Sequence, residues 1–251
     1  MRYDVLRRYA AASGGVIQRL NTYIPFDHER REQDPEYKGK QDQFIRKIRQ
    51  MGWRVYEKEV KRYPQEDGSV AIKANADMEL AIDAITESSR LDLVVLVSGD
   101  GDFTRLAQAL QAKGCRVEVV AFRHISRELR EASDLFINGY LIPELVPIRE
   151  STVPWGQEGS IVRGVIEYWN EEKHHGFVRF LTEITDRAWD VDQRTVNSPY
   201  SRCFIGIGSF LDERSNGLDI YRSQRVLQFK VEKNRQVDPP FMVREAVIIE
   251  S

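Results

Sequence analysis

From Gly14 to about Pro143, short apolar runs of strand length alternate with stretches in which apolar residues recur every three or four positions. Val16–Ile24 reads as a strand, and Trp53–Val60 alternates with the two-residue period of a half-buried one. Leu93–Val97 is a continuous apolar run, the pattern of a strand buried on both faces, and Val117–Phe122, apolar but for Glu118, reads as another buried strand. Helical spacing fills the intervals. Lys38–Gln50 carries Phe44, Ile45 and Ile48 on one face, with Gly52 just beyond its end. Asn75–Glu87 carries Met78, Ala81, Ile82 and Ile85, which predicts a core-facing stripe. A third helix repeats apolar residues at Phe103, Leu106, Ala107 and Leu110 and stops at Gly114. A short helix and a strand at Leu135–Ile137 complete the series. Strands alternating with helices predict a largely parallel α/β sheet.

The pattern then changes. Pro143, Pro147, Pro154, Gly156 and Gly159 mark a linker, and no convincing helical period follows it. Five strand-like runs remain: Ile161–Trp169, Gly176–Leu181, Cys203–Ile207, Val226–Val231 and Phe241–Ile249. Five short strands suggest a small barrel. The polar stretches 183–201 and 211–224 read as long loops. The organisation expected is an α/β domain over 1–145, a linker over 146–159 and an all-β domain over 160–251.

Composition narrows the function classes. A net charge of -2 over 251 residues gives no general attraction to nucleic acid, so such binding needs a local patch. Cys115 and Cys203 lie far apart without zinc-type spacing, as in a reduced cytoplasmic protein. No apolar run is long enough to span a bilayer, and Met1–Arg8 has no signal-peptide core. A homo-oligomer is compatible with this composition.

The chemistry concentrates in Ser98-Gly99-Asp100-Gly101-Asp102, where the buried run 93–97 gives way to a helix. Two carboxylates on one tight turn at a strand's carboxyl end repel each other unless a cation compensates them. Asp77 falls at a helix start, and the expectation is that it converges with Asp100 and Asp102. Such oxygen ligands suit Mg²⁺ or Mn²⁺. Simpler roles stay open: Asp102 as a helix cap, and Asp77 as a charge favouring its helix N-terminus. Asp83, six residues on, is about 120° around the helix from Asp77.

Lys73-Ala74-Asn75-Ala76-Asp77-Met78-Glu79-Leu80-Ala81-Ile82-Asp83-Ala84 and Leu96-Val97-Ser98-Gly99-Asp100-Gly101-Asp102-Phe103 together resemble the NYN domain, a relative of PIN-type nucleases, in its LabA-like bacterial branch. Arg130-Glu131-Ala132-Ser133-Asp134-Leu135-Phe136-Ile137 is similar to the end of that domain. The resemblance implies a Rossmann-like sheet with clustered aspartates and a metal-dependent ribonuclease. By match, Asp77, Asp100 and Asp102 are metal ligands, Asp83 is a further catalytic position, and Ser98 orients a carboxylate or a water; in the metal-assisted phosphodiester hydrolysis this implies, Lys73, Arg123 and His124 are candidates for holding the RNA backbone, or plain solvated surface. The family pattern opens with a strand carrying Asp and Asn, which has no counterpart before Val16. The expectation is therefore an upstream or lost strand, leaving those near Val16 and Val94 without a neighbour, and weak or no activity.

Gly164 through Phe180, with Trp169-Asn170, Lys173, His174-His175 and Gly176-Phe177-Val178, resembles the opening of a cold-shock domain, and Cys203–Phe210 looks like that domain's second RNA-facing strand. The resemblance implies that Trp169, Phe177 and Phe204 stack on single-stranded RNA beside Lys173 and Arg179. The alternative is that these rings form barrel core. The paired histidines read as loop residues.

The expected fold is thus α/β with a Rossmann-like (PIN/NYN) parallel sheet, plus a small all-β OB-like barrel. The expected function is metal-dependent cleavage of RNA recruited by the barrel. A non-catalytic RNA-binding regulator and a protein-interaction module in signalling are the alternatives.

Overall fold

The structure is a computed structural model that describes residues 1–12, 14–64, 70–73, 76–122, 125–192, 195, 197–212, 217–234 and 239–249. In chain order the elements are α1 Tyr3–Ala10, β1 Asn21–Phe26, α2 His28–Gln33, α3 Pro35–Gln50, β2 Arg54–Glu59, β3 Lys61–Pro64, β4 Val70–Lys73, α4 Asp77–Glu87, β5 Leu93–Val97, α5 Thr104–Ala112, β6 Arg116–Ala121, α6 Arg127–Ala132 and β7 Leu135–Asn138. The second half holds β8 Ile161–Asn170, β9 His175–Leu181, β10 Tyr200–Gly206, α7 Gly217–Ser223, β11 Val226–Lys233 and β12 Phe241–Ile248. The chain divides into two compact units: one of residues 16–94 and 102–117, the other of 1–15, 95–101 and 118–251.

In the first unit β1 and β2 pair in parallel, Tyr23 opposite Tyr56. Their rings stack with centroids 5.0 Å apart. Asp34 accepts a hydrogen bond from the Tyr37 backbone N–H and caps α3, with Pro35 at its first position. Ile45 and Ile48 of α3 are buried, as the spacing predicts; Phe44 is not. The strand expected from Val16 starts only at Asn21, and Val16 is exposed.

α4 departs further from expectation. None of its residues is buried; Met78 is 71% and Ile82 56% exposed, with Ile85 also exposed. Its acidic stripe, Glu79, Asp83 and Glu87 at four-residue spacing, meets β1–β2 instead. Glu79 pairs with Lys58, which holds its carboxyl below the usual range. Asp83 accepts a hydrogen bond from the Tyr23 hydroxyl at 2.6 Å. Glu87 lies 3.4 Å from Arg19 and 4.0 Å from Arg54. Four-residue spacing lines these carboxylates along one helical face. That polar stripe sets which way the helix turns, and the apolar stripe stays in solvent.

Among the described residues the β strands of the α/β region pair as β1–β2, the hairpin β3–β4 and a three-stranded sheet ordered β5-β6-β7, which gives the mixed α/β fold with parallel pairing that was expected. β6 and β7 are parallel. In the unit that contains them, α1 buries Val5, Leu6 and Tyr9, and its Arg2 backbone N–H donates to the Leu145 carbonyl at 2.8 Å.

β8 to β12 close a barrel ordered β10-β12-β11-β8-β9. Numbered within the barrel this is 1-2-3-5-4, with the third and fifth strands parallel, an OB-like arrangement. Val162, Ile166, Val178, Phe180, Ile205, Leu227 and Phe229 fill its core. Two glycines permit the tight curl of β8 over β9. A Cβ on Gly164 would lie 2.4 Å from the Arg179 carbonyl, and one on Gly176 2.0 Å from that of Tyr168. The stretch 211–224, expected to be loop, contains α7, whose Ile220 joins the core. The expected linker is docked: Trp155 packs on the barrel core and donates to the Leu181 carbonyl at 2.7 Å. Arg163, nearly buried, donates to the Val146 carbonyl at 2.7 Å and the Gln228 side chain at 3.1 Å.

Candidate functional site

Two regions carry candidate chemistry. On the outside of the barrel, β9 presents His175, Phe177 and Arg179, while Gly176, Val178 and Phe180 point inward. β10 does the same with Tyr200, Arg202 and Phe204. Register places Phe177 opposite Phe204 and Arg179 opposite Arg202. A row of rings therefore crosses three strands. Tyr168 stacks on Phe177 with centroids 6.1 Å apart, and Phe177 meets Phe204 edge-on at 6.3 Å. His175 lies 5.4 Å from Phe204. Beside this row runs a basic one. The Arg202 guanidinium sits 4.9 Å over Phe177, held by Glu167 at 2.6 Å, and that of Arg179 sits 5.2 Å over Tyr200. Aromatic faces next to guanidinium groups are what stacked bases and phosphates require.

Trp169 is not on this platform. It is 7% exposed and belongs to the core, and Tyr168 takes the outward place at 47%. The cause is a bulge: Val178 pairs with Ile166 but Phe177 with Tyr168, so Glu167 is an extra residue. One inserted residue inverts which side chains face out. Lys173 is exposed on the turn after β8, where the Asn170 side chain accepts its backbone N–H at 2.9 Å. His174 there has φ 49°, in the left-handed region that favours glycine. Tyr168, Tyr200 and Arg202 were legible only in part. The two-residue step back from Phe204 gives Arg202 and Tyr200, but the strand had to be extended from Cys203 to Tyr200.

The second region holds the aspartates. Asp77 is the first residue of α4, where its charge favours the helix N-terminus. Asp100 and Asp102 are both exposed on the turn after β5. Ser98 shapes that turn by accepting the Asp100 backbone N–H at 3.2 Å. Gly101 lets the Ser126 side chain pack against that turn, since a Cβ would lie 2.9 Å from its hydroxyl oxygen. Asp102 lies in the short 3₁₀ turn Gly101–Phe103 that leads into α5, and Phe103 is the residue just before that helix. Asp83 is engaged by Tyr23, whose hydroxyl is pushed above the phenol range, first by burial and then by that carboxylate. Among the described residues, no group of three or more His, Cys, Asp or Glu side chains is placed to hold a metal ion. Arg123, His124 and the Lys73 side chain lie outside the described residues.

Residues 1–143 match the NYN domain family. The low amplitude and bright protein LabA of Synechococcus elongatus is 37% identical over 91 residues, which is 35% of this chain and 49% of LabA. The chain thus spans about half the length of that curated relative. A solved structure of a protein of unknown function from Vibrio parahaemolyticus is 30% identical, covers 54% of this chain and 76% of its own, and has a TM-score of 0.43. Among the described residues, no helix is long and apolar enough to cross a membrane.

Proposed function

The chain belongs to the NYN domain family, and from that premise we propose that it binds single-stranded RNA through the outer face of its barrel. One observation carries this reading: the row Tyr168, Phe177 and Phe204 across three strands, flanked by Arg179 and Arg202. OB-type barrels bind oligonucleotides on the face of their second and third strands, here β9 and β10. Stacking tolerates any base, and the guanidinium groups of Arg179 and Arg202, the latter paired with Glu167, place donors beside the rings for phosphate oxygens. The test is anisotropy of a labelled single-stranded RNA titrated with the intact protein. Saturable, salt-weakened binding is expected, with Phe177→Ala costing about 1–3 kcal/mol. A folded protein that does not bind overturns the reading and favours an interaction module.

A second reading, metal-dependent cleavage of the captured RNA, is favoured by Asp100 and Asp102 exposed on one turn and by Asp77 opening α4. These are the hard oxygen donors that Mg²⁺ or Mn²⁺ takes. The described residues do not gather three of them, so no catalytic step is routed through a metal. Incubating the same RNA with Mn²⁺ separates the readings. Products that vanish in Asp100→Asn support a ribonuclease, whereas bound but intact RNA leaves a binding regulator.

A further inference from the structure

Trp189 is the exposed one of four tryptophans in the chain, at 57%, while Trp53 and Trp169 are buried and Trp155 packs on the barrel core. It does not hang on a loose segment. Its neighbours Ala188 and Asp190 are both buried. The Asp190 backbone N–H donates to the Arg187 carbonyl at 2.8 Å, and the Ser198 hydroxyl donates to the Asp190 carbonyl at 2.9 Å. The Arg187 backbone N–H donates to the Thr185 hydroxyl at 3.1 Å. A turn ordered this closely holds a large ring in water, where burying it would be favourable.

The turn's position follows from strand parity. Tyr200, Arg202 and Phe204 project from the outer face of β10, with Cys203 and Ile205 inside. The Tyr200 hydroxyl donates to the Ala188 carbonyl at 2.7 Å. The turn is therefore pinned to the same outer face as the aromatic row. Tyr200 is four residues from Phe204, roughly 13 Å along the strand, with Arg202 between them and Arg179 over the Tyr200 ring. Trp189 is the next residue after Ala188 on the turn held at this end of β10.

We propose that Trp189 is a further base-stacking residue, which receives single-stranded RNA as it leaves the Phe177–Phe204 row across Arg202 and Arg179. The inference rests on the RNA-binding reading above. Its chemistry is unspecific for sequence, since every base has a π-face. The structural element is the pinned turn, with Tyr200 as the positioning residue that holds it.

The experiment titrates the full chain with a labelled oligouridine of about twelve nucleotides, within the ~4–16 that one OB fold covers. Trp189→Ala is expected to weaken binding by roughly 5- to 150-fold, the equivalent of one lost stacked base. Trp189→Phe should retain most of the affinity, because the aromatic face survives. Tryptophan emission of the wild type should be quenched at saturation, and that quenching should be absent in Trp189→Phe. If Trp189→Ala binds like the wild type and RNA leaves the emission unchanged, the inference falls while the RNA reading stands. If the folded wild type does not bind the oligonucleotide at all, both fall.

Discussion

The barrel and the α4 region solve the same problem in opposite ways. The barrel closes on itself, and its inward positions, from Val162 to Val243, form one apolar cluster. α4 leaves its apolar stripe in water and docks through carboxylates, Glu79 on Lys58, Asp83 on Tyr23 and Glu87 on Arg19. The barrel's stability comes from area removed from water, a contribution that added salt does not screen. The α4 interface depends on ion pairs in partial contact with solvent, which are individually weak and screened. An amphipathic pattern therefore reports that a stripe exists, not which stripe will be buried.

Several substitutions test that contrast. The largest difference is expected between Phe229→Ala and Ile82→Ala. The first opens a cavity in a closed core and should cost about 3–5 kcal/mol in chemical unfolding. The second removes an exposed side chain and should stay within about 0.5 kcal/mol. A comparable loss for Ile82→Ala would mean that the α4 stripe is buried in solution.

The bulge at Glu167 is tested by its two neighbours. Trp169→Ala should destabilise the barrel by about 3–5 kcal/mol. Tyr168→Ala should keep the fold and lower RNA affinity by about 1–3 kcal/mol. Reversed outcomes would restore simple alternation along β8. The close approach of β8 and β9 gives a third test. Gly176→Ala forces a Cβ against the Tyr168 carbonyl and should cost about 1–3 kcal/mol. Gly208→Ala, with open space around it, serves as the control in the same thermal melts.

The smallest effect concerns Tyr23. Its neutral hydroxyl is favoured in the folded chain, so its contribution is complete below the unfolded phenol value of 10.0 and is lost as pH rises above it. Tyr23→Phe should cost about 1 kcal/mol near neutral pH. It should also flatten the decline of stability above pH 10. Identical alkaline profiles for both proteins would show that the Tyr23–Asp83 hydrogen bond contributes nothing.

Much of the fold was legible because period and length are local properties. Leu93–Val97 was read to the residue, and all five barrel strands were located. Phe177 and Phe204 were singled out by the resemblance to a cold-shock domain, since alternation alone leaves open which face of a strand is outside, and both rings lie on the outer positions of their strands. Trp169 does not, because a one-residue bulge inverts a face without leaving a mark in composition. α7 was missed because its seven residues, at 217–223, are too few to show a period. Tyr200 and Trp189 depend on a hydrogen bond between strand and loop that no spacing encodes.

The sequence by itself determined most of the longer strands and helices, the change from an α/β pattern to an all-β one, and which residue types carry charge and aromatic surface. These follow from the conformational preferences and hydrophobic periods of neighbouring residues. Only the tertiary structure decided which helix stripe is buried, which rings face water and which strands share a sheet. Each of those outcomes is a competition between distant groups for one surface. On α4 the carboxylates won because Lys58, Tyr23 and Arg19 stood within reach, and on β8 the extra Glu167 gave the core to Trp169.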